Sequence, residues 1–416
     1  MLHNLKQQTM SDLTFDQIIF KASHNSYDKG GESLASQLTF NPAQPYNNGC
    51  MAIELDIWRE SSPYTPYVSI AKDYFKVGHT SPGDDLCDYF ADVLNWHKSN
   101  PGHDVVLITL DIKSWQGGYD NFQDEIDTYL KCYFGEDLIF KPNKLMKVSS
   151  LSLCANVVST GWPKLSSPDL KGKFIFCLSG NSDWKAGYAR TNLNQRYCFS
   201  DLDESDSNAA VQPPTTGNIV FFNFHIYNSS RDVWMTTIPP FSTNKLITRA
   251  YVIDSETNWT NCMNANVSAI ATDSVTGSDW CKVSNTAEYK QKTQFYDKRY
   301  LKNKANNEYR TNEATEMQDT FESPDCTFIF HPFQNGTEVV YALQNAANGE
   351  YLDCSISSMS GSVDGNCQKW RLKVVNADRS EYYVQNLENS EYLTKKASQL
   401  SDSAGTDEVY IINEVD

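Results

Sequence analysis

Apolar positions along the first two thirds of the chain come in short runs separated by longer amphipathic stretches. DQIIFKA (16–22), MAIELDIW (51–58), DVVLITLDIK (104–113), KFIFCLS (173–179), IVFFNF (219–224) and AYVID (250–254) have the length and β-former content of strands. Between the second and third runs, 85–99 places Phe90, Val93, Leu94 and His97 on one helical face and ends at Pro101-Gly102. A second helix is expected where Phe122, Ile126, Tyr129 and Leu130 form a stripe that Gly135 can close. Strand and helix in alternation predict a parallel α/β fold. Over about 270 residues a closed TIM-type (β/α) barrel fits better than two open sheets.

The pattern changes near residue 285, so the expected domains are 1–285 and 286–416. Tyr289…Tyr300-Leu301, Tyr341…Tyr351-Leu352 and Tyr383…Tyr392-Leu393 are read as three copies of one unit, followed by Phe328-Ile329-Phe330, Trp370-Arg371-Leu372 and Tyr410-Ile411-Ile412. These triplets start 42 and 40 residues apart, which predicts three equivalent hairpin units around one core. With the Gln-x-Trp string at Gln368-Lys369-Trp370, the segment resembles an all-β ricin-type β-trefoil. That resemblance implies glycan binding, against a purely structural module.

Composition narrows the partners. Of 416 residues, 52 are acidic and 35 basic, a net charge of −17, which argues against a nucleic-acid partner. No apolar run reaches the roughly 20 residues of a membrane span. A monomer is expected. The N-terminus MLHNLKQQTMSDL lacks the pattern of a signal peptide. Eleven cysteines are many for a cytosolic chain, and a secreted or extracellular location with peripheral membrane contact is expected. Cys354, Cys367, Cys262 and Cys281 lie in loop-like stretches where bridges fit as well as free thiols do.

Four strings carry the candidate chemistry: SHNSY (23–27), IELDIW (53–58), VGHT (77–80) and ITLDIK (108–113). Strand parity sends Glu54 and Asp56 to one face and Ile53, Leu55 and Ile57 to the other, and pairs Asp111 with Lys113. Three carboxylates and the Asn25 amide at one barrel mouth would repel unless a hard cation, calcium or magnesium, joined them. His24 and His79 would then supply acid and base. Lys113 holds a phosphate or simply pairs with Asp111. Arg249 and Tyr251 share strand parity. Each string alone is weak, and the ordered set is not.

That order resembles the catalytic barrel of the phosphatidylinositol-specific phospholipase C superfamily over roughly residues 15–285. SHNSY matches its Ser-His-Asn-Ser/Thr-Tyr string, and GCMAIELDIW (49–58) its Gly-Cys-Arg-x-x-Glu-Leu-Asp-x-Trp string, with Met51 in place of Arg. GWPKLSSPDLKGKFIFCLSG (161–180) resembles a string of the calcium-dependent bacterial and fungal branch. The resemblance implies calcium at Asn25, Glu54, Asp56 and Asp111, with His24 and His79 catalytic and Lys113, Arg249 and Tyr251 meeting an inositol lipid. It implies a phosphoric diester hydrolase that cleaves phosphatidylinositol-type lipids at a membrane surface. The alternatives are a glycerophosphodiester phosphodiesterase or phospholipase D-like enzyme on the same barrel, and a glycan-binding protein acting through the trefoil. The Ser-His-Asn-Ser-Tyr string favours the first. No Gly-x-Ser-x-Gly elbow or nucleotide-type phosphate loop is present.

Overall fold

The computed structural model describes residues 13–30, 32–43, 49–59, 72–113, 121–203, 214, 216–226, 238–276, 278–292, 298–313, 315–321, 325–335, 338–356, 358–363, 365–376 and 381–414. The chain forms two compact units, Met1–Lys292 and Thr293–Asp416.

In the first unit the strands are β1 (Ile18–Ser23), β2 (Ala52–Arg59), β3 (Phe75–Val77), β4 (Val106–Ile112), β5 (Phe174–Gly180), β6 (Cys198–Asp203), β7 (Phe221–His225), β8 (Ile247–Tyr251), β9 (Ala269–Thr272) and β10 (Tyr289–Gln291). Eight of them pair in parallel around a closed ring, β1-β2-β4-β5-β6-β7-β8-β9 and back to β1. β3 and β10 add antiparallel to β2 and β1. The TIM-type barrel is therefore present. The pattern of apolar runs does not reveal β6 and β9: CFSDLD carries polar residues into the barrel, and AIAT is only four residues long. The strand expected at 250–254 lies at Ile247–Tyr251 instead, because Val252 takes a left-handed φ of 62° that ends it.

Helices α1 (Leu34–Leu38), α2 (Leu86–Ser99), α3 (Phe122–Phe134), α4 (Leu153–Thr160), α5 (Ser182–Arg190), α6 (Ile238–Thr243) and α7 (Glu256–Asn264) accompany the strands. The outward residues Ile53, Leu55 and Ile57 of β2 and Ile108, Leu110 and Ile112 of β4 pack with Phe90 and Val93 of α2 and Phe122, Ile126, Tyr129 and Leu130 of α3. That apolar outer layer commits Glu54, Asp56 and Asp111 to the inside. No helix among the described residues is long and apolar enough to cross a membrane.

The second unit holds β11 (Lys298–Asn303), β12 (Tyr309–Arg310), β13 (Met317–Gln318), β14 (Phe328–Asn335), β15 (Glu338–Asn345), β16 (Tyr351–Leu352), β17 (Met359–Ser360), β18 (Lys369–Asn376), β19 (Glu381–Asn386), β20 (Tyr392–Leu393), β21 (Leu400–Ser401) and β22 (Val409–Glu414). The six long strands close a ring, β11-β14-β15-β18-β19-β22 and back to β11. The short strands form three hairpins, β12–β13, β16–β17 and β20–β21. Four strands repeated three times around a closed ring make a β-trefoil.

The repeat register differs from the expected one. Tyr289 belongs to the barrel sheet, paired with Phe20, so the division falls after Lys292 rather than at 285. Tyr300-Leu301 lies in β11, whereas Tyr351-Leu352 and Tyr392-Leu393 are β16 and β20. The true threefold mark is Asn303, Asn345 and Asn386. In each, the side-chain amide donates to the carbonyl of Asp407, Asp325 or Cys367, and the side-chain oxygen accepts a backbone N–H two residues on. Cys354 and Cys367 form a disulfide. Cys262 and Cys281 are buried free thiols, and the Cys281 thiol donates to the Ser278 carbonyl at 2.7 Å instead.

Trp370 fills the trefoil core, fully buried, with its indole N–H donating to the Leu352 carbonyl at 3.0 Å. Trp370→Ala is expected to cost about 3–5 kcal/mol. In hydrogen exchange, amides of residues 369–376 should lose protection while those of β4 keep theirs.

Candidate active site

The C-terminal ends of the barrel strands gather the candidate residues at one mouth, where loop-borne chemistry sits on this fold. Parallel pairing of β2 with β4 sets Asp56 directly opposite Asp111 and Glu54 opposite Thr109. Oxygens of Glu54, Asp56 and Asp111 lie within 4.8 Å of one another. Asn25, just after β1 and held at φ 46°, donates its backbone N–H to Glu54 Oε2 at 3.0 Å. Asparagine tolerates that left-handed φ better than most residues. Tyr27 donates its hydroxyl to Asp56 Oδ2 at 2.9 Å, and its oxygen lies 3.4 Å from Asn25 Oδ1.

Buried like charges need counter-ions, and two cations supply them. The Arg249 guanidinium, on β8 across the barrel, lies 2.7 Å from Glu54 Oε2 and donates to Asn223 Oδ1 at 3.0 Å. Lys113 Nζ lies 2.9 Å from Asp111 Oδ2 and 3.3 Å from Asp56 Oδ2. Of its two readings, the ion pair is thus present in the structure. The Glu54 carboxyl feels burial pushing it up, but Arg249, His24, the Asn25 N–H and Lys113 bring it below the usual range. Asp111 goes the other way. Burial raises it, Lys113 opposes, and the charges of Glu54 and Asp56 raise it further, to about 6.

The histidines flank the cluster. His79 Nδ1 lies 2.9 Å from Asp56 Oδ2, leaving its other nitrogen toward solvent, and the side chain is 61% exposed. The Trp58 indole donates to the Gly78 carbonyl at 2.6 Å and fixes the turn that presents it. His24 Nδ1 lies 3.2 Å from both oxygens of Asp273, and its Nε2 lies 3.9 Å from Glu54 Oε2. Asp273 also pairs with Lys29. Burial would raise its carboxyl, but the bonds from His24 and Lys29 hold it at about 2. The Tyr251 ring stacks on His225 at 4.7 Å and lies 5.7 Å from His24, with the Arg249 guanidinium 5.1 Å from its centroid.

The carboxylate cluster fits a hard cation. Asp56 Oδ1 and Asp111 Oδ1 are buried and accept no hydrogen bond from the described residues, which leaves carboxylate lone pairs unsatisfied beside the cluster. All-oxygen donors of this kind suit calcium. Gly180, the last residue of β5 at φ 78°, is the backing: a Cβ there would stand 2.0 Å from Asp111 Oδ1.

All nine expected site residues therefore converge. Asp273, Asn223 and Gly180 join the site without having been expected there, although Gly180 closes the 161–180 string. Asp273 directly follows β9, the four-residue strand that the apolar runs do not reveal, so no strand signal marked it. Asn223 alternates with the phenylalanines of IVFFNF, a polar residue at an inward position.

Residues 52–218 match the family model described as phosphoinositide phospholipase C, Ca2+-dependent. No curated protein matches the chain. A calcium-dependent phosphoinositol-specific phospholipase C from the Gram-negative bacterium Pseudomonas sp. aligns at TM-score 0.52 and 17% identity, over 68% of this chain and 96% of that one. A Ca2+-dependent phosphatidylinositol-specific phospholipase C from Streptomyces antibioticus aligns at TM-score 0.47 and 17% identity, over 62% and 94%. SeviL, in a structure with asialo-GM1 saccharide, aligns at TM-score 0.24 and 17% identity, over 29% and 98%. The resemblance read from the motifs and the family-model match point to the same family, the latter over residues 52–218.

Two outcomes test this geometry. Asp111 binds its proton more tightly folded (about 6) than at the ordinary 3.8, so its contribution to stability is complete below about pH 4 and is lost as pH rises through about 6. In chelator, the stability difference between wild type and Asp111→Asn should shrink by on the order of 2 kcal/mol from pH 4 to 6.5, read from denaturant unfolding. Gly180→Ala should cost about 1–3 kcal/mol by overpacking and should reduce thermal stabilisation by added calcium, because Asp111 must move.

Proposed function

We propose that the barrel is a calcium-dependent phospholipase C that cleaves phosphatidylinositol or a related inositol lipid at a membrane surface, yielding diacylglycerol and a cyclic or open inositol phosphate. The observation that carries this reading is the cluster of Glu54, Asp56 and Asp111 with a carboxylate-oriented histidine on each side.

Cleavage needs a proton removed from the attacking inositol hydroxyl and one delivered to the departing glyceride oxygen. With Nδ1 bonded to Asp56, His79 presents its outer nitrogen to the leaving group and acts as the acid. Asp273 holds the His24 ring with Nε2 turned toward the cluster, where it serves as base or as donor to a phosphoryl oxygen. In the second role the proton goes to Glu54 or Asp111. Asn25, Glu54, Asp56 and Asp111 would hold the calcium, which would supply positive charge to ease deprotonation of the inositol hydroxyl and to offset the phosphoryl oxygens. Lys113 meets the phosphate. Tyr251 offers a ring face for the inositol, and Arg249 stiffens that wall through Asn223.

The disulfide Cys354–Cys367 suits an oxidising, extracellular setting. There the trefoil would hold the barrel near glycans.

Release of water-soluble inositol phosphate from phosphatidylinositol vesicles tests the reading. Release should require calcium and stop with chelator. His24→Ala and His79→Ala should each lower it by about 10²–10⁴-fold. Cleavage of glycerophosphodiesters with no release from the lipid would move the barrel to the diesterase alternative.

A further inference from the structure

Lys113 stands apart from the other charged groups of the mouth. Its ammonium bridges Oδ2 of Asp56 and Oδ2 of Asp111, two of the three carboxylates that gather around the cation site. The opposite oxygens, Oδ1 of both residues, are buried without a donor. Asp56 Oδ2 is meanwhile crowded, taking Tyr27 and His79 at 2.9 Å as well. One oxygen of each carboxylate is thus satisfied from within the chain, and the other has no donor among the described residues.

Arg249 differs in kind. Its guanidinium is 7% exposed and tied to both Glu54 and Asn223, and it packs on the Tyr251 ring. Lys113 is 24% exposed, one residue past the end of β4, with a flexible four-carbon stem and a point charge. Of the two counter-ions, only Lys113 has both the freedom and the solvent path to leave.

We propose that Lys113 is a built-in competitor of the divalent cation: its ammonium neutralises Asp56 and Asp111 in the metal-free protein, and it must swing outward as calcium binds. Lys113 therefore sets calcium affinity, keeping the site from closing on trace cation. Displaced into the mouth, the same ammonium is delivered to where an anionic phosphodiester arrives, so calcium binding precedes and favours binding of the phosphate. The inference rests on the reading of the cluster as a calcium site and deepens it.

Calcium titration of the full chain by calorimetry at pH 8, without lipid, tests it. Lys113→Met should bind calcium roughly tenfold tighter or more, since removing a unit charge this close to the ligands is worth at least that. Lys113→Arg should stay near wild type. Thermal unfolding supplies a second readout: metal-free Lys113→Met should melt below wild type and gain more from calcium. Equal or weaker calcium binding by Lys113→Met overturns the proposal, as does an absence of binding in wild type and variant alike. Tighter binding in a protein that fails to cleave phosphatidylinositol would uphold the competition while removing the lipase reading.

Discussion

The barrel is organised around a repulsion. Two parallel strands set Asp56 beside Asp111 in the same register, with Glu54 one inward position below. Three carboxylates that close, and largely dry, are stable only if cations or donors come to them, and breaking one such buried pairing costs about 3–5 kcal/mol. The compensation arrives from distant parts of the chain: Arg249 from β8, Lys113 from the end of β4, and the Asn25 N–H from the turn after β1. Ring closure is what brings Arg249 to Glu54. Fold and site are therefore one problem, because the polar floor of the mouth requires the complete circle of strands.

Much of this was legible in the order of residues, for a definite reason. β2 and β4 are buried on both faces, so their apolar outer residues form strong runs, and the few charges interrupting them at period two point inward to chemistry. Glu54, Asp56, Asp111 and Lys113 were found that way. His24 and Asn25 were found by a string immediately after a strand. The family motifs then fixed which cation and which substrate class to expect, a step that periodicity could not take.

What the sequence hid was either polar or repeated. β6 carries Ser200, Asp201 and Asp203, and its buried Asp201 is paid for by Lys185 of α5 at 2.9 Å, a partner 16 residues away that no alternation rule identifies. Asp273 reads as an ordinary loop acid until Lys29 and His24 are seen around it. In the trefoil, tyrosine is frequent enough that Tyr-Leu pairs suggested a register offset in one repeat. The asparagines at 303, 345 and 386 mark equivalence better, since each must satisfy backbone groups at a turn that only the tertiary ring creates.

The two histidines are held by carboxylates of different standing. Asp273 lies outside the cluster, and its pairing with Lys29 keeps it charged whatever happens among Glu54, Asp56 and Asp111. His79 instead rests on Asp56, a member of that cluster, through the same oxygen that receives Tyr27 and Lys113. Any change in what Asp56 binds is felt at once by the more exposed ring, and hardly at all by the more buried one. Orientation of His24 is thus a property of the fold, whereas orientation of His79 is tied to the state of the carboxylates. A barrel built this way holds one histidine in place and makes the orientation of the other conditional on the charge at its centre.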